Sequence, residues 1–588
     1  MGLVKKGYKI SKFILFPLIL LLFPLVKATR GIDLSDTLYS LGNYAFFSTK
    51  EANTWTLITF LGTVLGHILT LLPFGGTLVG MKVYTGLLTG LTAVIGYRFF
   101  LTKMPGWLAF LAEMLALGMC WAPTVILYNY LTYFLLLIAC ILIFRGLAGT
   151  NRTYCLFFAG LVLGVNTFVR FPNNGLEVLL IFAVWFYGIY TKKDFATVFK
   201  ETLFCVIGYV ISFGIIMTVM SLMYGNGTFG NMISGVLGIS GANSEYTFGQ
   251  MIVSILDAYL HGMKWGLYMI ICILPGIPFM LLWQGKYMKA RKIVYCICIA
   301  FLFFVLYKWG MFNFKYYQKE SALQWGVIFL IISIVVDIWM LSSKMLNHDW
   351  KLIGCISLIL ILITPLGSNN HVYPVLNNLF FIAPVTVWII YRFARWGRSY
   401  LDRTQKVPLF SLKAMVSAAL IMTFIQALGI GCSYIFMDGE GHEAHDTYVG
   451  ESAVLAGTKT DAIKASALTE LVKYMDDAGD LSRSSSQNAL NGRKILTYGN
   501  IPGVNYTLNT PSALSTTWAD LGSYPIDVME SDMEALNGSD KATRPYVILS
   551  RNIVDWPDNS IKLELINRFI NDNAYECVLD NALFVVYR

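Results

Sequence analysis

Apolar runs of roughly 20 residues recur from residue 13 to residue 436. Nothing else in the chain limits its fold as much. A run of about 20 apolar residues is what a helix needs to cross about 30 Å of hydrocarbon. Inside that layer only a structure that satisfies its own backbone is tolerated, which here means helices. Charged residues make up only 13% of the chain, against about 25% in ordinary soluble proteins. The sequence predicts an all-α polytopic membrane protein and excludes a soluble enzyme or a nucleic-acid binder.

Charge divides the chain in two. Residues 1–436 hold 32 Lys/Arg against 13 Asp/Glu, whereas residues 437–588 hold 12 against 22. The acidic stretch lacks long apolar runs and has a common domain length of about 150 residues. It is expected to be a separate soluble domain, 437–588, after a membrane domain, 1–436. Within it "DAIKASALTELVKYMDDAG" and "IKLELINRFINDN" carry helical periodicity, and "RKILTYG" and "RPYVILS" look like buried strands. "YECVLDNALFVVYR" reads as a hairpin turning at Asp580-Asn581. The expected product is a small α/β domain.

Positive residues collect in cytoplasmic loops. Fitting the Lys/Arg clusters predicts 13 crossings, near 13–28, 77–100, 105–122, 124–144, 154–170, 175–191, 203–223, 263–283, 293–311, 322–341, 352–366, 379–394 and 412–436. An odd number with an inside N-terminus leaves the C-terminal domain extracytoplasmic, on a multi-pass protein of the plasma membrane. Segment 54–73 would break this pattern as a crossing. It is therefore expected to be a helix lying in the outer interface or dipping partway in, within an outer loop spanning 29–76. The loop 224–262 is expected to lie along the membrane surface.

The outward side gathers the polar residues that need an explanation. "TRGIDLSDTLYS" carries Asp33, Asp36 and Tyr39; "TFVRFPNN" carries Arg170; "FNFKYYQKES" carries Lys315 and Lys319; "GSNNHVYP" carries Asn370 and His371. Ionisable groups near the bilayer are costly, so those that persist face an interior or a site. Each has a bland reading too. Lys315 and Lys319 suit a solvated loop, Arg170 an interface anchor, and Asp33 a helix cap. Two further features are weaker. His442 and His445 in "HEAH" lack a fixed third ligand. The Asn226, Asn505 and Asn537 sequons are short enough to arise by chance. No cofactor is indicated, and no metal.

An outer loop with an acid shortly before a tyrosine, then a membrane-parallel segment, resembles the GT-C-type membrane glycosyltransferases, such as the protein O-mannosyltransferases and lipid A aminoarabinose transferases. Here those parts are Asp33, Asp36 and Tyr39, followed by 54–73. "LYNYLTYFLLLIACILIFRGL" with "YCLFFAGLVLGVNTFVRFPNN" is similar to the paired helices of that superfamily. The resemblance implies an inverting transferase that takes a sugar from a polyprenyl-phosphate donor held among membrane lipid. The acceptor would be a hydroxyl of a glycan, lipid or protein. It implies an aspartate as general base, Asp36 or Asp33, because the Asp-Glu pair of many relatives is missing. Arg170, Lys315, Lys319, His371, Asn370 and Tyr39 would then surround the donor phosphate and substrate. A flippase for a lipid-linked sugar, or an envelope-assembly scaffold, are the alternatives.

Overall fold

The computed structural model describes residues 9–50, 52–148, 153–239, 247–281, 287–310, 322–368, 370–396, 409–438, 444–483, 492–538, 540–553 and 559–588. Seven helices among them are long and apolar enough to cross a membrane: Leu78–Phe100, Leu127–Ala148, Phe195–Tyr224, Gly249–Leu281, Met288–Lys308, Leu323–Ser342 and Phe410–Ser433. Each matches an expected crossing. The other expected segments are helical but shorter, as in Gly106–Gly118, Tyr154–Thr167, Ile181–Tyr190, His348–Ile363 and Ile382–Arg395. The first segment is helical from Ser11 to Lys27 and tightens to 3₁₀ geometry at its end, where Pro24 lies.

Polar side chains inside the membrane part largely close on their own helices. Thr85, Thr89 and Thr92 donate to the carbonyls of Met81, Thr85 and Leu88 at 2.8, 3.1 and 3.0 Å. This satisfies the hydroxyls without a partner helix. Helix starts are fixed by short polar caps, as where Asp194 accepts from Thr197 N at 2.9 Å and Asn347 from Trp350 N at 3.1 Å.

Two of the expected loops contain helix. Segment 54–73 is a pair of short helices, Thr54–Ile58 and Phe60–Thr70. At about 1.5 Å per residue neither reaches across a bilayer. In the 224–262 stretch, expected to lie along the membrane surface, Thr228–Ile239 is helical and a long helix starts at Phe248.

The C-terminal stretch carries a small sheet region with helices packed on it. Strands β1 (Thr447–Tyr448) and β2 (Lys459–Thr460) form a ribbon. Strands β3 (Ile495–Tyr498), β4 (Tyr546–Ser550), β5 (Cys577–Asp580) and β6 (Phe584–Tyr587) form a sheet in the order β3-β4-β6-β5. β3 and β4 are parallel, and β5 and β6 make the predicted hairpin. Alternation along the strands feeds two cores. Ile495, Tyr546, Ile548, Phe584 and Val586 pack with Leu468, Leu471 and Met475 of the Ala462–Ala478 helix. Leu496, Tyr498, Val547 and Leu549 pack with Met529, Met533, Ile566 and Phe569 on the other face. The Ile526–Asn537 helix was not foreseen. Its run of acids hides its few apolar positions.

The C-terminal sheet region does not stand apart from the first helices. Leu38, Leu41 and Tyr44 of the Asp36–Ala45 helix belong to the same core as Val504, Tyr506 and Leu508.

Candidate functional site

The segment leaving the first helix is stitched to the soluble domain residue by residue. Gly31 N donates to Lys459 O at 2.8 Å, and Lys459 N donates to Thr29 O at 2.8 Å. Ile32 N donates to Asp438 Oδ2 at 2.8 Å, and Gly503 N to Leu34 O at 2.7 Å. Gly31 has φ +83°, and a Cβ there would lie 2.2 Å from Ile435 Cγ2, so this turn accepts only glycine. Asp438, fully buried, also accepts from Thr460 Oγ1 at 2.8 Å and pairs with Lys464. A short, doubly anchored turn results, and it presents two aspartates.

Asp33 and Asp36 differ in how they are held. Asp33 is buried; Oδ1 accepts from Ser35 N at 2.8 Å and Ser35 Oγ at 2.5 Å, and Oδ2 accepts from Thr37 N at 2.8 Å. It closes the turn that starts the Asp36–Ala45 helix, as a cap does. Burial pushes its carboxyl up, while these donors pull it down. Asp36 is half-buried in the first turn of that helix, and among the described residues its carboxylate accepts no hydrogen bond. Burial, and then the charge of Asp33, push it up to about 7.

A cavity of about 100 Å³ opens beside Asp33. Lys27, Arg30 and Lys82 border it, with Cys120, Trp121 and Tyr434 among the other walls. Lys27 Nζ donates to the carbonyls of Tyr434 and Ile430 at 2.9 and 3.4 Å, and Lys82 Nζ to those of Arg30 and Gly31, both at 2.7 Å. An ammonium has three donors, so each lysine retains one. These cations were missed in the sequence. Lys82 sits in the second turn of an apolar helix that begins just after the acidic loop, which was the available signal.

The expected cations lie elsewhere. Arg170 is half-buried, donates to Asn129 Oδ1 at 3.2 Å and stands over the Tyr128 ring, 5.5 Å from its centroid. From there an aromatic chain leads to the loop: Tyr128 meets Trp55 at 5.5 Å, and Trp55 meets Tyr39 at 6.1 Å. Tyr39 is buried against Trp518 of the soluble domain, and burial raises its hydroxyl to about 12. His371, with φ +49°, has Nδ1 3.0 Å from Ser254 O and its ring 5.9 Å from Tyr373, which packs on the cavity residue Trp121. Asn370 is exposed, its N donating to Ser368 Oγ at 3.3 Å. No contact among the described residues joins Arg170 to His371, and Lys315 and Lys319 lie outside those residues. The structure thus brings together Asp33, Asp36 and Tyr39, reaches Arg170 through aromatics, and leaves His371 and Asn370 behind the wall.

His442 also lies outside the described residues. His445 Nε2 is 2.6 Å from Asp438 O, and among the described residues no three His, Cys, Asp or Glu side chains cluster as a metal site would require. Asn505 of the second sequon is buried, donating to Thr510 O at 3.1 Å, and so does not face outward.

No family model matches the chain, and no curated protein matches it. Among solved structures it is similar to the Archaeoglobus fulgidus oligosaccharyltransferase in complex with Zn and sulfate, at 11% identity and a TM-score of 0.45, over 91% of this chain and 68% of that one. It is also similar to ArnT from Cupriavidus metallidurans, at 11% identity over 98% of this chain and 97% of that one. The TM-score is 0.40 for ArnT bound to undecaprenyl phosphate and 0.34 for its apo state. Likenesses this distant leave the site to be read from its own residues.

Proposed function

We propose that the chain is an integral membrane glycosyltransferase that moves a sugar from a polyprenyl-phosphate donor to an acceptor hydroxyl at the outer face of the membrane. The observation that carries this reading is one cavity in which Asp33 faces Lys27, Arg30 and Lys82 at the head of the apolar helices. Cations there meet a phosphate whose charge grows as the sugar leaves, which stabilises the transition state more than the ground state. A carboxylate across the cavity accepts the proton of the attacking hydroxyl. The acceptor oxygen bonds to C1 as the C1–O bond to phosphate breaks, and this single displacement inverts C1. The reading includes 13 crossings and a C-terminal domain outside the cytoplasm.

The two aspartates divide the arguments for the base. Reach comes before proton affinity, and Asp33 is the one that borders the cavity. Its carboxylate keeps lone pairs beyond the three donors it accepts. Asp36, the expected base, is favoured by its unengaged carboxylate and its value of about 7. We take Asp33 as the first reading and Asp36 as the second.

Mass spectrometry of lipid co-purifying with the protein tests the donor. A glycosylated polyprenyl phosphate is expected; bulk phospholipid alone would overturn the reading. Orientation is tested by an impermeant thiol reagent in intact cells, using exposed Cys577 after exposed Cys296, Cys298 and Cys432 have been replaced. Labelling only after lysis would overturn the outward placement.

A further inference from the structure

Asp33 borders a second cavity, of about 170 Å³, on the side facing the soluble domain. Its other walls include Lys464, Gly499, Asn500, Ser550 and Asn552. It lies at the carboxyl ends of β3 and β4, the only parallel pair in the sheet among the described residues. Loops beyond the carboxyl ends of parallel strands leave a crevice where open α/β sheets bind ligands. Here that crevice is roofed by the acidic turn of the membrane part, through the bonds from Ile32 N to Asp438 and from Gly503 N to Leu34 O.

The lining shows what the crevice would take. Lys464, its only cation, is already paired with Asp438 and lies 3.3 Å from Ile32 O. The remaining polar groups are the Asp33 carboxylate, the amides of Asn500 and Asn552, the hydroxyls of Ser35 and Ser550, and backbone. Asn500 stands at φ +61°, held because buried Asp520 accepts from Gly499 N and Asn500 N at 2.8 and 3.0 Å. Its Oδ1 is buried and has no hydrogen-bond partner among the described residues. An orphan amide oxygen costs free energy unless a donor meets it, and a ligand hydroxyl is such a donor. A phosphate or a carboxylate would find no free cation. The volume also falls below the about 300–1,000 Å³ of sites that enclose a whole small molecule, so the crevice fits one end of a longer chain.

From this we infer that the crevice is the acceptor subsite, and that the acceptor is a neutral, hydroxyl-rich glycan entering by its terminal unit. Asp33 is the wall common to both sides. Donor phosphate lies on the cation side, and the acceptor hydroxyl approaches from the neutral side. The inference rests on the transferase reading above.

The test uses the full chain in nanodiscs. Saturation-transfer NMR measures the binding of a panel of neutral trisaccharide methyl glycosides and of uronic-acid trisaccharides of equal length. At least one neutral trisaccharide should bind, and no uronate should bind as well. Asn552→Trp, which fills the exposed rim, and Asn500→Ala, which removes the orphan oxygen, should each weaken that binding by 10-fold or more. Binding of a polyprenyl phosphate should be unchanged in both variants, which shows that they are folded. Absence of neutral binding, insensitivity to both variants, or stronger uronate binding would overturn the subsite. If instead polyprenyl phosphate fails to bind the unaltered chain, or Lys82→Ala leaves that binding intact, the donor reading fails. The trisaccharide result is read separately from that one.

Discussion

The two hollows that meet at Asp33 share a wall and differ in charge. On one side three cations border about 100 Å³; on the other the one lysine is spent on Asp438, and apart from the shared Asp33 the lining is uncharged. Both are made by the same anchored turn, so backbone shape alone does not distinguish them. What distinguishes them is which side chains have their charge left over. A phosphate sorts to one side by electrostatics, and a hydroxyl-bearing group sorts to the other by hydrogen bonding. On the proposed reading Asp33 stands between a leaving group and an attacking group, which is where a displacement needs a proton acceptor.

The sharpest way to break this comparison is to neutralise the shared wall. Asp33→Asn keeps size but cannot take up the acceptor's proton, and it exchanges one accepting oxygen for an NH2 group, giving up the bonds from Ser35 or the bond from Thr37; turnover should fall by roughly 10²–10⁴-fold. Binding on both sides should survive. Normal turnover in Asp33→Asn together with a collapse in Asp36→Asn would pass the role to Asp36. Normal turnover in both would end the carboxylate-base mechanism.

Changing one side only should have a smaller effect. Lys82→Ala removes one contact to a charged phosphate, a contact of about 1.5–3 kcal/mol, so polyprenyl-phosphate affinity should fall by roughly 10- to 100-fold. Neutral trisaccharide binding should not move. Equal losses on both sides would mean that Lys82 holds the turn through Arg30 O and Gly31 O rather than holding a phosphate.

Loosening the common backbone should disturb both sides together. A Cβ at Gly503 would lie 2.3 Å from Leu38 Cβ and 2.7 Å from Leu34 O. Gly503→Ala should therefore cost about 1–3 kcal/mol by overpacking. It should lower the thermal midpoint and weaken both ligands by similar factors. Selective loss of one ligand, with the midpoint unchanged, would show that the turn is not a single unit.

Much of this arrangement was legible in the sequence, and the illegible part has a physical cause. Long apolar runs announce helices because hydrocarbon leaves the backbone no alternative, and the hairpin at Asp580-Asn581 was visible because its alternation is local. The pairing of Asp33 and Asp36 near Tyr39 was also local, lying within two helical turns. The cations were not. Lys27, Arg30 and Lys82 become partners of Asp33 only because Gly31 turns the chain sharply and Lys459, Asp438 and Gly503 pin it there, contacts that span more than 400 residues. Arg170 and His371 were conspicuous because they stand among apolar neighbours. Arg170 is instead held by Asn129 and Tyr128, and His371 by Ser254. A lone charge in a greasy segment signals that a partner exists, but not which one.

The smallest expected effect concerns Asp36, which borders neither cavity. Its carboxyl is raised from 3.8 to about 7 by burial and by the charge of Asp33. Between those values the folded chain holds a proton that the unfolded chain has released. Stability changes with pH according to the protons bound unfolded minus those bound folded, which here is negative. Asp36 should therefore favour the folded state most at about pH 4, lose that contribution as pH rises towards 7, and add no further slope above it. Asp36→Asn has no proton to exchange, so its thermal midpoint should decline less between pH 4 and pH 7 than that of the unaltered chain, while above pH 7 the two curves should run parallel. Asp33 remains in both proteins, so the difference between the curves reports Asp36 in the presence of its neighbour. Parallel curves from pH 4 upward would mean that Asp36 titrates as an ordinary solvated acid. Asp33, whose own carboxyl is raised by burial, would keep its place beside the cations, and the contrast between the two hollows would be untouched, because Asp36 borders neither.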